Sequence, residues 1–177
     1  MQQIFHEVCE HMSREVPYYE IFAEHYARME GWVVGEIRFV LSHKPSRYRI
    51  KNLEVHKKRG EKYPDLRFTL NGEKCVLEVK SLECWPPPRD PFGRYFSVEL
   101  AKEFKKLGDA ENSYLFAVFY PLTIPSIITE REDMPPRSME QWKRSWKMHS
   151  EKAKDKFAVQ ILCEKTLGNT LATLWTK

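Results

Sequence analysis

The chain has 177 residues, 42% of them hydrophobic, with 10 Phe, 8 Tyr and 5 Trp, which suits one domain with a real core and excludes a disordered polymer. Its formal net charge of +4 is too small for the sum alone to name a partner. No apolar run reaches the ~18 residues of a membrane helix and the start from Met1 to Glu7 lacks signal-peptide features, so a soluble, intracellular (cytoplasmic) protein is expected.

Between Tyr18 and Leu41 the apolar residues Tyr19, Phe22, Tyr26, Met29, Trp32 or Val33, Ile37 and Val40 recur at steps of three and four, which predicts an amphipathic helix with Pro17 as its first residue. Tyr48 to His56 reads as a first strand. His56, Lys57, Lys58, Arg59 and Lys62 follow as a basic loop, suited to sequence-independent contact with phosphates.

Asn71-Gly72 then marks a tight hairpin, because both central residues of a type I′ turn need positive φ. With those two in the turn, Leu70 pairs with Glu73, Phe68 with Cys75, Leu66 with Leu77, and Asp65 with Glu78. One face of the hairpin is apolar: Leu66, Phe68, Leu70, Cys75, Leu77 and Val79. The other holds Asp65, Glu78 and Lys80, since side chains alternate along a strand. Two carboxylates opposite each other destabilise a sheet unless something positive lies between them, and a divalent cation with oxygen ligands is the natural candidate.

After Ser81, the run Trp85-Pro86-Pro87-Pro88-Arg89-Asp90-Pro91 can be neither helix nor central strand and is expected to be a loop near these acids. A helix follows from about Phe96 to Leu107, ending at Gly108, and Tyr114 to Tyr120 reads as a buried strand. Pro121 to Pro136 forms a second Pro-rich stretch. A helix is predicted from about Ser138 to Phe157, with Trp142 and Trp146 as a packing stripe. Its basic residues Lys143, Arg144, Lys147, His149, Lys152, Lys154 and Lys156 read as a solvated face. Phe157 to Cys163 and Thr170 to Trp175, around Gly168-Asn169, suggest a last hairpin. Cys9, Cys75, Cys84 and Cys163 lack Cys-x-x-Cys spacing and the six histidines lack metal-binding pairing, so reduced thiols are expected and a zinc site is not.

Pro64-Asp65, a hairpin, and then Glu78-Val79-Lys80 resemble the PD-(D/E)XK nuclease superfamily. The resemblance implies an α/β fold with a restriction endonuclease-like core: a central mixed β-sheet flanked by helices. It covers about residues 18–120 of a single domain spanning 1–177, with 121–177 as a C-terminal helix and hairpin extension. Glu20, Ala23, Tyr26, Ala27 and Gly31-Trp32 are similar in order to the opening helix of archaeal Holliday junction resolvases, which nominates Glu20 as a third acid ahead of Glu24 and Glu36. The resemblance implies Mg²⁺ or Mn²⁺ held by Asp65, Glu78 and the Val79 carbonyl. Lys80 would position or deprotonate a water, or neutralise developing charge, and Lys57, Lys58, Arg59 and Lys62 would contact nucleic acid. The expected activity is metal-dependent cleavage of DNA, structure-specific as for a junction resolvase and carried out by a homodimer. The alternatives are a restriction-type or RNA endonuclease, a nucleic-acid-binding protein with this fold and no activity, and a structural protein whose acids bind an ion for folding.

Overall fold

The structure is a computed structural model and describes residues 1–15, 29–43, 45–55, 64–83, 91–107, 112–120 and 139–177. Glu20 and Glu24, the basic loop from His56 to Lys62 and the two Pro-rich stretches at 85–90 and 121–136 lie outside the described residues.

Among the described residues, six strands form one mixed sheet in the order β1-β2-β3-β4-β6-β5. They are β1 (Lys51–Val55), β2 (Leu66–Leu70), β3 (Glu73–Glu83), β4 (Ser113–Tyr120), β5 (Gln160–Leu167) and β6 (Thr170–Thr176). Only β3 and β4 run parallel. A parallel pair needs a crossover, since a hairpin can join only antiparallel neighbours. Here the chain between β3 and β4 passes through α4 (Pro91–Arg94), a π-helical segment (Tyr95–Glu99) and α5 (Leu100–Lys106).

Helices cover both faces of the sheet. On one, α1 (Gln2–Ser13) and α2 (Glu30–His43) bury Phe5, Val8, Met12, Val33 and Ile37 against Leu66, Leu77, Val79, Phe116 and Leu174. On the other, the π-helical segment, α5 and α6 (Met139–Phe157) bury Phe96, Leu100, Phe104, Trp142 and Trp146 against Leu115, Phe119 and Trp175. Being covered on both sides, β4 is buried at every residue but Tyr114, and its sequence is therefore continuously apolar instead of alternating. A short helix, α3 (Pro45–Tyr48), leads into β1.

Several expectations change. Helix α1 was not foreseen, although Ile4, Phe5, Val8, Cys9 and Met12 repeat at helical spacing and all are buried. Of the helix expected over 18–41, the described part is α2, running two residues past the expected end to His43. The helix expected from Phe96 to Leu107 divides into the π-helical segment and α5, a widened turn that sets Phe96 against Phe119 and Trp146. The strand expected at 157–163 begins at Gln160, because α6 runs on to Phe157. Trp142 and Trp146 do form a packing stripe: their rings stack with centroids 6.1 Å apart, while Lys143, Arg144 and Lys147 are exposed.

Candidate active site

The hairpin forms in the expected register. Asn71 and Gly72 take φ of 53° and 95°, and Leu70 pairs with Glu73, Phe68 with Cys75 and Leu66 with Leu77. The two-residue turn makes these the hydrogen-bonded pairs of the ladder. Backbone groups of β3 therefore face β2 at odd positions and β4 at even ones. One step beyond Leu66 and Leu77, Asp65 meets Glu78 at a non-hydrogen-bonded position, where opposed side chains come closest.

The next hydrogen-bonded position would set Pro64 opposite Val79, and proline has no N–H to give. The ladder stops there. The Val79 N–H instead donates to Asp65 Oδ2 at 2.7 Å, so the carboxylate caps the strand it faces. The Val79 carbonyl, on the same edge as its N–H, meets no donor from Pro64. A sheet that ends in this way sets two carboxylates and the edge of a backbone carbonyl at neighbouring positions of the hairpin.

Glu78 and Lys80 lie on the α5 face of the sheet and Glu30, in the first turn of α2, reaches them around its edge. Lys80 Nζ stands 3.4 Å from Glu78 Oε1 and 3.5 Å from Glu30 Oε1. From α5, Lys106 Nζ binds Glu103 Oε2 at 2.7 Å and approaches Glu78 Oε1 at 3.9 Å. Only 17% of the Glu78 side chain is exposed. Burial first, then the charge of Asp65, push its carboxyl up to about 7 against the opposing pull of Lys80 and Lys106. For Lys80, burial alone would lower the affinity for its proton, but Glu30, Glu78, Asp65 and Glu103 together outweigh it and hold the ammonium above its ordinary value. The site thus contains a half-buried carboxyl that gains a negative charge only near neutrality, beside an ammonium that stays charged.

Hard oxygen donors of this number suit Mg²⁺ or Mn²⁺, since Mg²⁺ commonly takes only one or two protein carboxylates and keeps several waters. Among the described residues no three His, Cys, Asp or Glu side chains converge as a metal cage, and the candidate donors at the end of the hairpin are two carboxylates, Asp65 and Glu78, with the Val79 carbonyl edge. The raised carboxyl of Glu78 fits the same group, as a cation between the acids would relieve the repulsion that raises it.

Asp65, Glu78 and Lys80 are brought together as expected. Glu36 is not with them: it bonds His11 Nδ1, between α1 and α2. Glu20, Lys57, Lys58, Arg59 and Lys62 lie outside the described residues. The helix acid that meets Lys80 is Glu30, which sequence reading passed over although it directly precedes the Gly31-Trp32 pair. Glu103 and Lys106 were also missed. Glu103 had a readable signal, because Leu100, Glu103, Phe104 and Leu107 follow i, i+3, i+4, i+7 and put an acid in a core stripe, where it is indeed buried. No family model, no curated protein and no solved structure matches the chain.

Proposed function

We propose that the protein is a metal-dependent endonuclease that hydrolyses phosphodiester bonds of DNA, with Asp65, Glu78 and Lys80 as its catalytic residues. The observation that carries this reading is the end of the β2–β3 hairpin, where two opposed carboxylates, the Val79 carbonyl edge and the Lys80 ammonium meet beside Glu30. The described order of α2, antiparallel β1-β2-β3, crossover helix and parallel β4 supports reading the first two thirds of the chain as a restriction endonuclease-like core.

Asp65, Glu78 and the Val79 carbonyl would hold Mg²⁺ or Mn²⁺. When bound, such an ion polarises a phosphoryl oxygen and lowers the pKa of its water so that hydroxide is available near neutral pH. Asp65 is fixed for its part by the Val79 N–H, which bonds Oδ2 and leaves Oδ1 outside that bond. Glu78 must lose its proton to join the set, so ionisation of this one side chain gates the site. Lys80, held charged by Glu30 and Glu78, is a poor base and a good neutraliser of the extra negative charge that develops on the phosphoryl group. Glu30 holds the ammonium from the edge of the sheet, at 3.5 Å.

The test is cleavage of labelled linear duplex, single-stranded and four-way-junction DNA with Mg²⁺ or Mn²⁺, wild type beside Asp65→Asn. Metal-dependent cutting lost in the variant supports the assignment, and the preferred substrate decides between a junction-specific and a restriction-type enzyme. Cutting that survives Asp65→Asn, or a folded wild type that cuts neither DNA nor RNA with either metal, refutes it.

A further inference from the structure

On the face of the sheet that carries Asp65, Glu78 and Lys80, the hairpin continues into a cavity of about 830 Å³. It does not contain the acids themselves; it begins at Val76 and runs up β3 to Glu73 and across to β1. At ~3.4 Å per strand residue, Val76 and Lys74 lie about 7 and 14 Å along β3 from Glu78. That is about two to four steps of a stacked nucleic-acid strand.

Arg67 and Lys74 bring positive and Glu54 negative charge to the lining, and Glu73, whose side chain alternates to the other face, adds to it at the turn end. Such a mixture is less suited to a bare phosphate than a purely basic wall would be. It offers donors and acceptors side by side, as the edge of a nucleobase requires. Two asparagines complete the lining from opposite sides, Asn52 from β1 and Asn112 from the approach to β4.

Both asparagines have left-handed backbones, with φ of 54° and 55°. Asn52 sits at an irregularity in the β1–β2 register between Lys51 and Glu54, the kind of bulge that redirects a side chain. Asn112 is anchored by its own carbonyl, which accepts the Val76 N–H at 3.1 Å. Two asparagines thus stand at backbone-fixed positions in the lining of one cavity of mixed polar and apolar character, beside Arg67, whose guanidinium is of the kind that stacks on bases.

We infer that this cavity binds an unpaired nucleobase of the strand whose phosphodiester lies at Asp65 and Glu78, with Asn52 and Asn112 hydrogen-bonding its edge and Arg67 stacking on it. The inference deepens the nuclease reading and rests on it for the direction of the strand. It makes the hairpin a reader of bases as well as the holder of the catalytic acids.

Glycine separates a base-reading amide from an asparagine kept only for its backbone, because glycine accepts positive φ and removes the side chain. Dye-labelled 12-mers of dA, dC and dT, and a 12-mer of abasic sites, would be titrated by anisotropy without divalent metal. Wild type, Asn52→Gly and Asn112→Gly would be compared, with thermal melting of each variant as the control for folding. The expected result is at least about tenfold tighter binding of one base-bearing strand over the abasic one by wild type, reduced to near equality in both variants. Equal binding of abasic and base-bearing strands by wild type, or an unchanged preference in folded variants, overturns the inference. Base-dependent binding without cleavage under Mg²⁺ or Mn²⁺ would keep the pocket and sink the nuclease reading. Cleavage without base dependence would do the reverse.

Discussion

Replacing Glu78 by Gln should stabilise the fold at pH 8 while abolishing activity. Gln stands in for the protonated acid, so the difference from wild type reads the net free energy of charging Glu78 among its neighbours. The folded-state value, about 7, lies above the ordinary value of 4.5. The native state therefore holds this proton more tightly than the unfolded chain, and wild type loses stability as pH rises from about 4.5 to about 7, then levels off. At ~1.36 kcal/mol per tenfold, the full displacement is worth about 3 kcal/mol. Solvent around a side chain 17% exposed screens part of this. The expected gain for Glu78→Gln at pH 8 is thus about 2 kcal/mol, which is about 1 M in urea midpoint for a protein of this size. Urea unfolding followed at pH 4.5, 5.5, 6.5, 7.5 and 8.5 should show the two proteins converging at the acid end and separating through the window. Mg²⁺ at ten times its Kd should return ~1.4 kcal/mol to wild type and nothing to the variant. A Glu78→Gln protein that is less stable than wild type at pH 8, or differs from it by the same amount at every pH, would refute the electrostatic account of the site.

Asp65 carries two roles that different substitutions separate. Asp65→Asn keeps an oxygen for the Val79 N–H and should leave stability equal or higher, whereas Asp65→Ala strands that donor and should cost about 1–3 kcal/mol in urea unfolding, with activity lost in both. Gly72, at φ 95° with nothing within 4 Å of an added Cβ, should lose ~1–2 kcal/mol on change to Ala through backbone strain alone, measured as a lower midpoint with the same denaturant slope. In the core, Thr173 Oγ1 accepts the Trp175 indole N–H at 2.8 Å and donates to the Ala117 carbonyl at 3.2 Å. Thr173→Val should therefore lower Tm by about 4–8 °C, and Thr173→Ser, which keeps both bonds, by less. At metal concentrations well below saturation, cleavage rate should rise with pH through about 7 as Glu78 ionises, and a flat profile from pH 5.5 to 8.5 under those conditions would exclude Glu78 from the metal site.

How much of this was legible depended on how local the signal was. The β2–β3 hairpin could be read in full because Asn71-Gly72 fixes the register and a slip of one residue would turn Leu66, Phe68, Cys75 and Leu77 into solvent. From that register Asp65, Glu78 and Lys80 followed by alternation alone. Glu30 and Lys106 did not, because their places depend on how α2 and α5 lie over the sheet, which no spacing within a helix reports. The π-helical turn was hidden for a similar reason. Phe96, Leu100 and Phe104 repeat every four residues and read as an unbroken helix, yet the rings of Phe119 and Trp146 decide how that turn is wound. The order of β4, β6 and β5 was equally invisible, since the last hairpin could have added to either edge. The structure resolves it with Thr173 and Thr176, whose hydroxyls bond the Ala117 and Ser113 carbonyls of β4.

Pro64 ties the fold to the chemistry. A hairpin that continued one pair further would satisfy Val79 with backbone groups, bury both its N–H and its carbonyl in the ladder, and free Asp65 to turn toward solvent. Proline at this position removes one of those two bonds, the one its N–H would give to the Val79 carbonyl. The Val79 N–H is closed by a side chain, the Asp65 carboxylate at 2.7 Å. So placed, the carboxylate stands opposite Glu78, and its charge adds to burial, the larger cause, in raising the Glu78 carboxyl. Proline thus leaves the Val79 carbonyl edge without a ladder donor at the same end of the hairpin where Asp65 caps the Val79 N–H and faces Glu78.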